Sequence, residues 1–166
     1  MASSAGTPAS MRGTRPVRAA EISVEGIRRP PGLRRLARFC ARALAEAGFS
    51  AWSVSVLLCG DTRMSALNRR YRGQDRSTDV LSFPSEEGRR EGPVEGDIAI
   101  SVETLRRNAA RYGVSENEEM KRLLVHGLLH LAGMDHGKGR GGAMLARQAR
   151  ILARLRSDVI YGEKES

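Results

Sequence analysis

All three histidines of the chain fall within eleven consecutive positions, in the stretch VHGLLHLAGMDH from Val125 to His136. His126 and His130 are four residues apart. On a helix this spacing puts two side chains about 40° apart around the axis and one turn apart along it. Both imidazoles then face a single ion. Gly133 follows three residues later, and glycine accepts the left-handed conformation that ends a helix and turns the chain. The turn would bring His136 back toward the pair. Three neutral imidazoles leave the fourth position of a tetrahedral zinc open to water, which is the pattern of a catalytic site and not of a closed structural one. One zinc, or a similar divalent ion, is therefore expected on His126, His130 and His136.

The same spacing, H-x-x-x-H-x-x-G-x-x-H, occurs in zinc peptidases of the metzincin type. Those proteins place a glutamate after the first histidine as general base, and here that position is Gly127. Glycine cannot take a proton. Met144 reads as an apolar residue of a last helix and not as a methionine turn. GMDHGKGRGG fails the spacing of a phosphate-binding loop, so no nucleotide cofactor is expected.

Four strand-like and five helix-like segments must position these residues. EISVEG (Glu21 to Gly26), AWSVSVLLC (Ala51 to Cys59), DVLSFP and DIAIS (Asp97 to Ser101) read as strands. Helices are expected over Leu33 to Phe49, over TRMSALNRRY with Asp61 as its cap, and over Val102 to Tyr112. A fourth starts at the Ser115–Glu118 capping box and ends near Gly133, and a fifth covers Ala143 to Leu155. Glu86 to Gly96 reads as an exposed loop. Strands early and helices late indicate an α+β domain with a small sheet.

The 166 residues suit one domain, expected over 21–160 after a basic, disordered arm at 1–20. The formal charge is +9, and aromatic residues make up only 4% of the chain, so the core must be mainly aliphatic. An arginine-rich surface fits either a compositional bias or a phosphate-rich partner. Cys40 and Cys59 lie in apolar segments without a CxxC motif and read as core residues of a reduced, cytosolic protein. No apolar run approaches a membrane span.

HGLLHLAGMDH resembles the signature of the YbeY family, bacterial ribosomal-RNA maturation factors described as metal-dependent endoribonucleases. Two further blocks, LNRRYRGQDRSTDVLSFP (Leu67 to Pro84) and GDIAIS (Gly96 to Ser101), resemble the same family in the same order. The resemblance implies a small mixed four-stranded sheet flanked by about five helices, with a zinc site at the end of a helix. It implies zinc on His126, His130 and His136, and a role in forming the 3′ end of 16S ribosomal RNA and in ribosome quality control. Ribosomal RNA and the small ribosomal subunit are the implied partners. Arg72 matches an arginine the family uses for function. After His136 the family shows acidic residues, where this chain has GKGRGGAM.

A nuclease needs a grip on the phosphate, and an arginine can bind two phosphate oxygens at once. Arg72 is the catalytic candidate, expected in a polar loop. Arg69, Arg70 and Arg76 are expected as generic RNA contacts. Asp135 and Asp79 read equally as orienting acceptors and as turn caps. Phe49, Trp52 and Phe83 read as core. Two other classes stay open: a metal-dependent hydrolase of another substrate, peptides included, and a ribosome-assembly factor with a structural zinc.

Overall fold

The computed structural model describes residues 17–85, 92–134 and 141–162. Its elements run β1 (Arg18–Val24), α1 (Leu33–Glu46), β2 (Trp52–Cys59), α2 (Asp61–Arg72), β3 (Val80–Pro84), β4 (Val94–Ser101), α3 (Val102–Tyr112), α4 (Glu116–Leu131) and α5 (Gly141–Arg154). The four strands form one sheet in the order β1-β2-β4-β3, with β3 antiparallel to β4 and the other pairs parallel. This is the mixed α+β architecture expected from the pattern.

Alternation along the strands sorts side chains between two faces. Val54, Val56 and Leu58 of β2 and Ile98 and Ile100 of β4 point into the main core. α1 brings Leu36, Phe39, Cys40, Ala43 and Leu44 to that core at helical spacing. α4 runs over β3 and β4, with α3 and α5 packed on it. Each fully buried Leu or Phe contributes about 1.5–3 kcal/mol, so this layer holds the domain together. The opposite face is covered only in part. There α2 sets Met64 on Cys59, Leu81 and Ala99 in a smaller cluster.

Two boundaries differ from the sequence pattern. β1 begins at Arg18, and Arg18–Ala20 pair with Trp52–Val54, so three residues assigned to the arm belong to the sheet. The Arg18 guanidinium donates to Ser50 O (2.9 Å) and lies over the Trp52 ring, which ties this end down. β4 begins at Val94, inside the segment expected as loop, with Val94 buried against Trp52. Gly96 looks like a loop residue but marks a close approach. A Cβ there would sit 2.5 Å from Phe83 O and 2.7 Å from Leu131 Cδ2, so glycine lets β3 and the end of α4 close on β4. Residues 86–91 of the expected loop lie outside the described residues.

Candidate active site

α4 starts where the capping pattern puts it. Ser115 Oγ accepts from Glu118 N at 3.0 Å, and the helix runs from Glu116 to Leu131. The Glu118 carboxylate turns instead to Lys121, whose buried ammonium also donates to the carbonyls of Leu155 and Arg156 just past the end of α5. That contact fixes α5 against α4. From Leu123 to Leu131 every residue is buried except His126 and His130, which are half-buried.

The two imidazoles meet edge to face, with ring centroids 4.6 Å apart and their Nε2 atoms 3.1 Å apart. Two nitrogens bound to one tetrahedral zinc at about 2.0–2.1 Å would lie roughly 3.3–3.4 Å from each other. The pair therefore fits a divalent ion with little movement. His126 Nδ1 stands 3.1 Å from Oε1 of Gln148 on α5. An amide oxygen only accepts, so in this contact a proton on Nδ1 would be the donor, and that tautomer would turn the Nε2 lone pair toward the cleft. Gln148 is buried at 7% exposure. Sequence reasoning missed it, because a glutamine on an amphipathic helix gives no signal until its neighbour in space is known.

α4 ends as the glycine predicts. Gly133 takes φ 87°, Gly133 N donates to His130 O and Met134 N donates to Leu129 O. His136 and Asp135 lie outside the described residues. Among the described residues no third His, Cys, Asp or Glu completes a ligand cluster. Cys40 and Cys59 are free, buried thiols whose pKa values burial pushes up to about 12 and about 11. They are core residues.

The histidine pair opens into a cleft of about 430 Å³ lined also by Arg72, Ser82, Pro84 and Met134. Arg72 is the last residue of α2 and not a loop residue as expected; Gly73, at φ 66°, ends the helix after it. Arg72 Nη2 donates to Ser82 O (3.0 Å) on edge strand β3, which aims the guanidinium at the cleft. The other candidate arginines do not line this cleft. Arg69 pairs with Asp75 at 3.4 Å, both exposed, Arg70 lies over the Tyr71 ring, and Arg76 is exposed with its carbonyl held by Asn68.

Asp79 is structural. Its carboxylate accepts from Val80 N (2.7 Å) and Asn108 Nδ2 (3.2 Å) and pairs with Arg122. Asp61 does not cap α2, which has Gly60 at that position. Its carboxylate instead collects Ser77, Ser101, Thr104 and Arg107. Gly127 has a packing reason as well as a chemical one. A Cβ there would meet Ile98 Cδ1 at 2.9 Å and Ser82 Oγ at 3.2 Å, so any larger side chain would have to shift these neighbours between α4 and the sheet.

The family model for Endoribonuclease YbeY matches residues 31–156, most of the chain. The chain belongs to the YbeY family. It is 41% identical over 138 residues to an Endoribonuclease YbeY of Treponema pallidum, covering 80% of this chain and 86% of the relative. It is 39% identical over 160 residues to one of Rhizobium meliloti, covering 87% and 95%. The solution structure of a Thermotoga maritima protein superimposes with a TM-score of 0.60 at 26% identity, covering 84% of this chain and 93% of that one. The matched region of the YbeY model takes in α2, β3, α4 and α5, and with them Arg72, the histidine pair and Gln148.

Proposed function

We propose that this YbeY-family chain is a zinc-dependent endoribonuclease that acts on ribosomal RNA, in 16S 3′-end maturation and ribosome quality control, with the small ribosomal subunit as its partner in the cytoplasm. The observation that carries the reading is the 3.1 Å approach of the His126 and His130 Nε2 atoms in a cleft that also holds Arg72. His136, two residues beyond Met134, would be the third ligand. A bound divalent ion supplies a Lewis acid for a phosphoryl oxygen and a source of nucleophile at neutral pH.

The chain's own residues do the rest. Gln148 holds the proton on His126 Nδ1. Arg72, tethered to β3, presents donors to the nonbridging oxygens of a phosphodiester seated in the cleft. Ser82 and Pro84 form its wall. The test is single-turnover cleavage of a ribosomal RNA fragment by metal-replete protein, with His126→Ala as control and metal content measured in parallel. Metal-dependent cleavage that the control abolishes is the expected result. No cleavage by native, metal-loaded protein would overturn the reading. Unfolded casein should stay intact under the same conditions, because Gly127 supplies no base. Casein cleavage abolished by His126→Ala would instead make the site a peptidase.

A further inference from the structure

The face of the sheet opposite α4 carries a second concavity, of about 550 Å³. Pairing register explains its lining. Ser23, Leu57 and Ala99 lie side by side across β1, β2 and β4, and Ser55, Asp97 and Phe83 form the adjacent row. α2 covers only one flank, with Leu67 and Tyr71 at the wall. Leu57, Ala99 and Phe83 make the floor largely apolar, and Ser23, Ser55, Asp97 and Glu25, the last paired with Arg63, supply its polar groups. Tyr71 is 55% exposed although it is large and aromatic. Its ring is tilted against that of Phe83, centroids 5.1 Å apart, so it is held in place at its base. The Arg70 guanidinium lies 5.3 Å from the Tyr71 centroid.

Edge strand β3 separates this concavity from the histidine cleft. Phe83 faces one side, while Ser82 and Pro84 line the other. Arg72, next to Tyr71 in the chain, is bonded to Ser82 O on the same strand. An arginine for phosphate and an exposed ring for a base thus stand on adjacent residues at one sheet edge. We propose that the concavity is a nucleobase subsite: one unstacked base of a single RNA strand stacks on Tyr71, and its backbone crosses β3 at Arg72 into the cleft.

The chemistry suits a base better than a lipid or a peptide side chain. A flat ring with an apolar floor accepts any π-face, and the Arg70 guanidinium over the Tyr71 ring places positive charge beside a stacked base. The Ser55 hydroxyl donates or accepts at a base edge. The Asp97 carboxylate accepts from an exocyclic amine, which adenine, cytosine and guanine carry. A base paired in a duplex cannot enter, so the subsite would select unpaired RNA.

The inference rests on RNA being the substrate. Its test uses metal-replete native protein and a single-stranded RNA of fixed sequence in which one abasic nucleotide is moved along the chain. One position near the cleaved bond should raise KM about 5- to 100-fold when its base is removed, the range expected for one stacked base. Tyr71→Ala should raise KM for the intact RNA similarly and become insensitive to that abasic position. Tyr71→Phe should restore both properties. Melting temperature and metal content should match the native protein in each variant, since the side chain is exposed. If Tyr71→Ala keeps the native KM and the native sensitivity to the abasic nucleotide, the subsite is wrong while the cleft stands. If native protein neither binds nor cleaves RNA, the RNA reading falls and takes the subsite with it.

Discussion

Gln148 ties the histidine pair to the rest of the molecule. Its buried amide sits on α5, and its oxygen, 3.1 Å from His126 Nδ1, favours the tautomer that keeps the proton on Nδ1. Gln148→Leu keeps the volume and removes the acceptor. Zinc affinity, measured by competition with a chelating dye, should then fall about 10- to 100-fold. Gln148→Glu should retain affinity, which separates the acceptor from mere packing; equal affinity in the leucine variant would sink the assignment. Arg72→Ala should cost stability little, since the residue is exposed at a helix end. It should slow cleavage at saturating RNA on the order of 10²-fold or more, and Arg72→Lys should recover only part, because the fork is lost. A native rate in Arg72→Ala would return it to the surface charges. The histidine pair and Arg72 were legible in the sequence because spacing and motif name them. Gln148 and Tyr71 were not, because their roles come from neighbours more than ten positions away or from exposure that a sequence does not print.

Elements explain what the local pattern misread. The strand pattern of β4 is hidden by Glu95 and Gly96, yet Gly96 is the residue that lets β3, β4 and the end of α4 meet. Asp61 looked like a cap because it opens a helix, but its carboxylate joins α2 to the start of α3 and to the segment before β3. Burial alone would raise its pKa; the hydroxyls of Ser101 and Thr104, the Arg107 guanidinium and Ser77 outweigh that and hold it well below the usual carboxylate range. A depressed folded pKa contributes stability that is fully present above the unfolded value, near 3.9, and is lost progressively as pH falls from there through the folded value. Asp61→Ala should therefore cost on the order of 2–3 kcal/mol at pH 7, from lost charge-assisted hydrogen bonds. The gap between native and variant stabilities, read by urea unfolding, should begin to narrow as pH drops below about 4 and be smaller at pH 3 than at pH 7. A difference that is the same at pH 7 and pH 3 would mean that the hub acts through packing and not through its charge. Asp61 opens α2, the helix whose last turn carries Tyr71 and Arg72, so the variant should also lose cleavage activity.

At the scale of the whole molecule, α4 is the element on which most others rest. It touches β3, β4, α1, α3 and α5, and its last two turns carry the histidine pair. An ion bound there would join the end of α4, the turn at Gly133 and, through Gln148, α5. Metal that binds the folded chain and not the unfolded one stabilises it by mass action, about 2.7 kcal/mol when free metal is 100 times its Kd. For a domain of this size 1 kcal/mol shifts the melting temperature by roughly 2–4 °C. Zinc at that excess should therefore raise the melting temperature of metal-free native protein by roughly 5–10 °C. His130→Ala removes one of the two converging nitrogens and should abolish most of the rise, while its metal-free stability stays close to native because the side chain is half-buried at the cleft. Calorimetry of both proteins, with and without zinc, makes the comparison. An equal rise in the variant would place the stabilising ion elsewhere, and no rise in either would leave the histidine pair without its metal.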